Sequence, residues 1–176
     1  MAHQSNSRLS RRLALQLSVA GLTATGLGLP ISAWAAGNDS LITVWKTPNC
    51  GCCKEWVTHL KRSGFEVATN DVKDTAPIRQ KLGLPTKFGS CHTAQLGGYV
   101  LEGHVPAQEI KRLLREKPEA VGLAVPGMPV GSPGMEVGNT QDAYDVLLVL
   151  ADGSSRVYQS YPSKTVKSSV NSSIKS

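Results

Sequence analysis

The segment TPNCGCCKEW, from Thr47 to Trp56, contains three of the four cysteines of this 176-residue chain. Cys50 and Cys53 have the C-x-x-C spacing, while Cys50 and Cys52 have the C-x-C spacing. Closely spaced thiols either exchange disulfides or, as thiolates, bind soft metal ions such as Cu(I) and Zn(II). The segment is therefore either a redox switch or a metal site.

The crowding of these cysteines favours a metal over structural disulfides. Neighbours such as Cys52 and Cys53 pair with each other only under strain, and the clustered cysteines have one distant partner, Cys91. Thiolates at the N-terminus of a helix are stabilised by the helix dipole and by free backbone N–H groups, but three in one turn repel one another. A proton, a disulfide or a soft cation must compensate that repulsion, and we expect the cation.

The methionines favour copper over zinc. Met128 and Met135 lie in two similar contexts, PGMPVG and PGMEVG, in a loop with few large apolar residues. A methionine is most often a core residue, so core packing stays an alternative for each of them. Cys, Met and His donors together nevertheless favour copper, because Cys and His alone would satisfy zinc.

The histidines differ in their expected roles. His104, in EGHVP, is expected to return to the cysteines through a hairpin and to act as a ligand. His92 adjoins Cys91, but alternation along a strand is expected to point the two side chains to opposite faces. His59 is expected to be a surface residue of the helix that follows the cysteines. The predicted metal ligands, with no catalytic residue among them, are Cys50, Cys52, Cys53, Cys91, His104, Met128 and Met135.

The segments around the cysteines are predicted to alternate between strands and helices. An apolar helix face begins at Cys53 and continues to Leu60, and Gly64 is placed to end that helix. A strand, a helix and a second strand in this order predict a parallel strand pair with a right-handed crossover. The predicted order is a strand at 41–46, the cysteine loop and its helix, a strand at 65–72, a helix at 75–82, a hairpin turning at Gly97-Gly98 and a helix opened by Pro106.

This order is that of the thioredoxin-like fold, an α/β fold with a mixed sheet and flanking helices. The active cysteines of that fold lie between the first strand and the helix after it, as they do here. Redox members usually carry a cis-proline beside those cysteines, whereas this chain has GSCHTA and no proline between Pro85 and Pro106. The difference argues against a dithiol oxidoreductase.

Three further segments follow. Residues 119–140 hold five glycines and three prolines, and a loop of this length inside a domain is usually functional or disordered. The segments 144–150 and 154–161 flank an Asp-Gly turn and are predicted to form a C-terminal hairpin that extends the sheet. Residues 163–176 are rich in Ser and Lys and are predicted to be a disordered tail.

The N-terminus has the features of a cleavable export signal. A basic start is followed by an apolar run that ends in Ala33-Trp34-Ala35, a small-residue cleavage site. The arginine pair in SRRLAL is compatible with either the Sec or the Tat route. Removing residues 1–35 takes away three arginines and lowers the formal charge from +6 to +3, which does not imply nucleic acid. We expect a periplasmic domain at 36–162 without a membrane anchor.

Four motifs, TPNCGCCKEW, SCHTA, GHVPA and GLAVPGMPVGSPGME, resemble the exported CopG-type copper-resistance proteins, long classed as a domain of unknown function. The resemblance covers about residues 41–161. It implies a thioredoxin-like fold in which cysteine thiolates bridge several copper ions, here Cys50, Cys52, Cys53 and Cys91. The histidine of GHVP and the methionines of the two PGM motifs occupy matching positions. The resemblance also implies a role in copper tolerance and leaves open a change in the oxidation state of copper.

The sequence thus predicts an exported protein that binds Cu(I), with Cu(II) as an alternative state. Its expected partners are copper ions and other copper-handling proteins of the periplasm. The rival hypotheses are a thiol–disulfide oxidoreductase that uses Cys50 and Cys53, and a small domain held by disulfides. An oxidoreductase would reduce disulfides without metal and would tolerate Cys52→Ser, whereas a thiolate cluster would not.

Overall fold

The computed structural model describes residues 41–164, which form a mixed sheet with flanking helices. Its strands are β1 (Leu41–Lys46), β2 (Glu66–Asp71), β3 (His92–Leu96), β4 (Tyr99–Glu102), β5 (Gly122–Ala124), β6 (Tyr144–Val149) and β7 (Ser155–Tyr161). Its helices are α1 (Gly51–Arg62), α2 (Ala76–Lys81) and α3 (Ala107–Glu116). None of these helices is long and apolar enough to cross a membrane. The predicted signal at 1–35 and the predicted tail beyond residue 164 lie outside the described residues.

The seven strands lie in the order β2-β1-β3-β4-β5-β6-β7. Strand β1 runs parallel to β2 and antiparallel to β3, and β3 and β4 form an antiparallel hairpin that turns at Gly97 and Gly98. Helix α1 connects β1 to β2, as the predicted strand–helix–strand unit requires. The predicted mixed α/β class is confirmed, and the thioredoxin-like assignment stays a prediction.

Helix α1 anchors the cysteine segment to the core. The predicted apolar face is buried, with Trp56 and Leu60 fully inaccessible to solvent. Cys50 is the N-cap, and its sulfur accepts the backbone N–H of Cys53 at 3.3 Å, in the way that a Ser or Asp oxygen caps most helices. Gly64 follows the last turn with a φ of 92° and ends the helix. The first turn of α1 is thereby fixed at the end of β1, with the Cys52 and Cys53 sulfurs next to Cys91.

The Gly/Pro segment at 119–140 contains a strand that the sequence pattern did not predict. Strand β5 pairs in parallel with β4 and antiparallel with β6, so it joins the predicted β6–β7 hairpin to the rest of the sheet. Three residues are too few to show a periodic pattern. Gly122 permits this pairing, because a Cβ at that position would overlap the carbonyl oxygen of Val100.

Candidate metal centre

All four cysteines meet at the N-terminus of α1. The sulfur atoms of Cys50, Cys52, Cys53 and Cys91 lie within 4.8 Å of one another. Cys50 and Cys53 are joined by a disulfide, whereas Cys52 and Cys91 are free thiols. The Cys52 sulfur lies 3.4 Å from the Cys50 sulfur and 4.0 Å from the Cys91 sulfur. The structure therefore brings the predicted cysteines together, with one pair of them oxidised.

Cys91 reaches the cluster because of the register between β1 and β3. Lys46, at the end of β1, pairs with His92, at the start of β3, so Cys91 lies beside the loop that leads into α1. Its carbonyl oxygen is 3.7 Å from the Cys53 sulfur. Burial, with a smaller contribution from the neighbouring Cys52, raises the pKa of the Cys91 thiol to about 12. The thiol stays protonated without metal, and a bound metal ion must displace that proton.

His104 is oriented as a metal ligand. Its Nδ1 lies 2.8 Å from the carbonyl oxygen of Pro133, and because a carbonyl only accepts hydrogen bonds, Nδ1 carries the hydrogen. The other nitrogen, Nε2, therefore presents its lone pair 3.1 Å from the Cys91 sulfur. Burial lowers the pKa of His104 and so favours the neutral ring. A carbonyl that fixes the far nitrogen in this way is typical of histidines that bind metals.

His92 also contacts the Cys91 sulfur, contrary to the expectation from strand alternation. Cys91 lies in a bend before β3 rather than within the strand, so the two side chains are not forced to opposite faces. The Nδ1 atom of His92 is 3.3 Å from the sulfur. The ring is fully buried, and its centroid lies 4.3 Å from that of Trp56 and 5.0 Å from that of His104. Burial and the nearby His104 lower the pKa of His92 to about 3, so this ring is neutral as well.

His59 has a different partner. Its Nε2 accepts a hydrogen bond from the backbone N–H of Ala107 at 3.1 Å. This N–H is at the start of α3 and has no partner within the helix. The side chain is half-buried rather than fully on the surface, and burial lowers its pKa. His59 thus links two helices and is not part of the sulfur cluster.

Met128 lies where the Gly/Pro segment borders Cys91. The carbonyl oxygen of the preceding Gly127 accepts a hydrogen bond from the hydroxyl of Ser90, the residue before Cys91. Met128 is 53% exposed, so it does not pack in the hydrophobic core. The structure thus places an exposed thioether next to the segment that carries the fourth cysteine, and its role as a ligand stays a prediction.

Met135 lies where the same segment borders α1. A Cβ on the preceding Gly134 would be 2.7 Å from the Cys52 carbonyl oxygen and 2.7 Å from the Trp56 backbone nitrogen. One residue earlier, Pro133 accepts the hydrogen bond from His104. The Gly/Pro segment therefore closes against the first turn of α1 and positions His104, while ligation by the partly buried Met135 stays a prediction.

A buried ion pair fixes the chain at the start of β3. Glu102, at the end of β4, is fully buried, and its carboxylate accepts hydrogen bonds from Arg79 at 2.9 Å and from the Ser90 backbone N–H at 2.7 Å. The other carboxylate oxygen of Glu102 accepts a hydrogen bond from the Thr93 hydroxyl at 2.7 Å. Arg79 also donates to the carbonyl oxygen of Ser90 at 3.1 Å. Ser90 and Thr93 flank the cysteine–histidine pair, so Glu102 holds both ends of that pair in place.

Similar proteins are found among family models and among solved structures. A family model described as a protein of unknown function, DUF411, matches residues 88–135, which include Cys91, both site histidines and both methionines. Two solved structures, named copper resistance protein CopG form 2 and form 1, are each 48% identical to the chain with a TM-score of 0.66. The matches cover 69% of this chain and 98% and 97% of the two solved chains. The chain belongs to the CopG family of copper-resistance proteins. No curated protein sequence matches it.

Membership of the CopG family confirms the resemblance carried by the four motifs. The family and the four clustered cysteines together support a copper-binding role for this chain. The DUF411 match begins after the C-x-C-C segment and continues through the hairpin and the Gly/Pro segment. The matched region therefore supplies Cys91 and the histidines, whereas the other three sulfurs come from α1.

Gly134 provides a test of the contact between the Gly/Pro segment and α1 in this CopG-family chain. Gly134→Ala is expected to lower the free energy of unfolding by about 1–3 kcal/mol, because its Cβ would overlap the backbone of α1. Gly138→Ala is the matched control, since Gly138 also has a positive φ but has no atom within 4 Å of the place that the added methyl would occupy. Urea unfolding of the metal-free proteins gives the comparison. Equal losses in the two variants would show that backbone strain, rather than the contact, explains the effect.

Proposed function

We propose that the protein binds Cu(I) through the thiolates of Cys50, Cys52, Cys53 and Cys91 and thereby protects the cell against excess copper. The observation that carries the proposal is the meeting of four sulfur atoms within 4.8 Å at the N-terminus of α1. Thiolates are soft donors that select Cu(I) over harder ions. The names of the two solved relatives, which are copper-resistance proteins, support copper over the other soft metals.

The Cu(I)-binding form is the reduced protein. In the disulfide form, Cys50 and Cys53 do not act as thiolate donors. A dithiol reductant supplies the two electrons and two protons that open this disulfide and is itself oxidised to a disulfide, which leaves four thiols around the first turn of α1. The helix dipole and the backbone N–H of Cys53, which already points at the Cys50 sulfur, stabilise negative charge there. Cu(I) supplies the remaining compensation as it displaces the thiol protons.

His104 and the two methionines are proposed as further ligands. The lone pair of His104 Nε2 faces the Cys91 sulfur and so extends the cluster by a nitrogen donor. The exposed thioether of Met128 suits it to receive or release Cu(I) at the surface. Met135 is placed in the part of the loop that contacts α1. Together they would pass copper between the cluster and other copper-handling proteins.

The proposed site of action is the periplasm. The basic start, the apolar run and the Ala33-Trp34-Ala35 motif support export, with 36–162 as the exported domain. The periplasm is oxidising, so the Cys50–Cys53 disulfide is expected to form there when copper is absent. The sulfurs of Cys50 and Cys53 then either bind copper or form the disulfide, but cannot do both at once.

The test is a Cu(I) competition experiment on the full chain, purified and fully reduced without oxygen. The protein is expected to remove Cu(I) from a moderate-affinity colorimetric chelator, and X-ray absorption is expected to show mainly sulfur neighbours. A variant with all four cysteines replaced by serine is the control and should remove none. Failure of the reduced protein to compete, or equal uptake by the control, would overturn the proposal.

A thiol–disulfide oxidoreductase is the second candidate, and the Cys50–Cys53 disulfide at the start of α1 is the observation that favours it. A C-x-x-C pair at a helix N-terminus is the arrangement that thiol–disulfide oxidoreductases use for disulfide exchange. This candidate predicts reduction of insulin disulfides by the metal-free dithiol form. Such activity, together with no Cu(I) uptake, would replace the first proposal by the second.

A further inference from the structure

Cys91 belongs to two groups of donor atoms. On one side its sulfur faces the three cysteines of α1, and on the other it contacts the imidazoles of His92 and His104 at 3.3 Å and 3.1 Å. One ligand atom from each of Cys91, His92 and His104 lies within 4.8 Å of the others. This second group contains neither member of the Cys50–Cys53 disulfide, so it persists when the disulfide forms.

The His92 ring has an unsatisfied nitrogen. Its Nε2 has no hydrogen-bond partner among residues 41–164, although the side chain is fully buried. Buried polar atoms without a partner are rare in folded proteins, so such an atom calls for an explanation. A neutral imidazole has one N–H group and one lone pair, and in the tautomer with its hydrogen on Nε2 the lone pair lies on Nδ1, 3.3 Å from the Cys91 sulfur. Within the described residues, no hydrogen-bond partner at Nε2 fixes the other tautomer, so Nδ1 can present this lone pair to a metal ion bound at Cys91.

The donor set defines the kind of ion. One thiolate and two imidazoles, with the Cys52 sulfur 4.0 Å from Cys91, form a mixed sulfur and nitrogen set. Sites of this composition suit divalent ions of borderline softness, Cu(II) and Zn(II) among them, whereas the all-sulfur set suits Cu(I). Binding of the ion through Cys91 requires release of the thiol proton.

We propose that the disulfide form of the protein retains a second metal site, built from Cys91, His92 and His104, which binds a divalent transition-metal ion. The inference goes beyond the Cu(I) cluster, because it assigns His92 as a ligand and gives the oxidised protein a metal site of its own. Cys91 and His104 are common to both sites, so the pocket changes its preferred ion as the disulfide is reduced and re-formed.

The experiment uses the full chain with the Cys50–Cys53 disulfide intact, verified by alkylation and mass spectrometry. Co(II) is the probe, because thiols do not reduce it and its absorption reports thiolate ligation directly. Titration without oxygen is expected to give one bound ion per chain with a sulfur-to-cobalt charge-transfer band. Cys91→Ser is expected to abolish that band, whereas Cys52→Ser should retain it. Absence of the band in the wild-type disulfide form would overturn the proposal.

His92→Phe is expected to weaken Co(II) binding by about tenfold or more, which is the least that loss of a direct ligand should cost. His59→Gln is the matched control, since His59 is a half-buried histidine on α1 with a different partner, and it should bind Co(II) as the wild type does. Equal affinity of His92→Phe and the wild type would overturn the assignment of His92.

A measurement on the wild type decides the question if His92→Phe does not fold. X-ray absorption of Co(II) bound to the disulfide form is expected to show two coordinated imidazoles beside sulfur. One imidazole or none would overturn the proposal. Because these experiments use the oxidised protein and divalent ions, their failure leaves the Cu(I) cluster of the reduced protein standing, and failure of the Cu(I) test leaves this site standing.

Discussion

Cys52→Ser is expected to lower the affinity of the reduced protein for Cu(I) by at least about 100-fold, since even outer-sphere partners of metal ligands are worth about 10–100-fold. The Cys52 sulfur lies between those of Cys50 and Cys91, at 3.4 Å and 4.0 Å. Serine cannot replace a bridging thiolate, because its oxygen is hard and stays protonated. The measurement is competition with a Cu(I) chelator, with the copper content of the purified protein as a second readout.

The same variant separates the two candidate functions. Cys50 and Cys53 remain, so their disulfide is still expected to form and to be reducible by a small dithiol. An oxidoreductase would therefore keep its insulin-reducing activity in Cys52→Ser, whereas a thiolate cluster would lose its copper. Glu55→Gln, on the exposed face of the same helix, is the control and should leave both readouts unchanged. Wild-type Cu(I) affinity in Cys52→Ser would contradict a cluster that uses all four sulfurs.

Glu102→Ala is expected to lower the free energy of unfolding by about 3–5 kcal/mol, because it leaves the Arg79 guanidinium buried without its partner. It also removes the acceptor for the Ser90 backbone N–H and the Thr93 hydroxyl. Those two residues flank the segment that carries Cys91, so copper binding should fall together with stability. Urea unfolding of the metal-free protein and Cu(I) competition are the two measurements.

Glu116→Ala is the matched control for this buried pair. Glu116 forms an ion pair with Arg112 at 2.7 Å, but both side chains are substantially exposed. Exposed ion pairs are screened by solvent and contribute little, so the control should lose little stability and no copper. Glu102→Gln keeps an acceptor oxygen but not the charge, and it is expected to fall between the two. Similar losses for Glu102→Ala and Glu116→Ala would show that the buried carboxylate does not hold the site.

The parts of the fold with a periodic or turn-forming sequence were predicted well. The apolar face from Cys53 to Leu60 is the buried face of α1, and the Gly97-Gly98 turn joins β3 to β4. Both features are local, because the spacing of apolar residues along a helix and the positive φ of a turn depend on residues that are close together in the sequence. The proximity of Cys91 to the other cysteines was expected from the thioredoxin-like arrangement, in which the start of the hairpin strand lies beside the cysteine loop, and the pairing of β1 with β3 produces it.

The features that were missed depend on contacts between distant segments. Strand β5 is only three residues long and exists because β4 and β6 pair with it. The Arg79–Glu102 pair joins α2 to β4, and nothing in either local sequence marks the two residues as partners. His92 was assigned to the wrong face because Cys91 was placed within the strand. The small residues Gly89 and Ser90 just before Cys91 were the available sign that the strand begins one residue later.

His104 contacts the sulfur cluster with one ring nitrogen and the Gly/Pro segment with the other. A cation at Nε2 withdraws electron density from the ring, which makes the Nδ1 hydrogen a stronger donor to the Pro133 carbonyl oxygen. Occupation of the pocket is therefore expected to tighten the surface loop that bears both thioethers. If a partner protein recognises this loop, it would then bind the metal-loaded and the metal-free protein with different affinities.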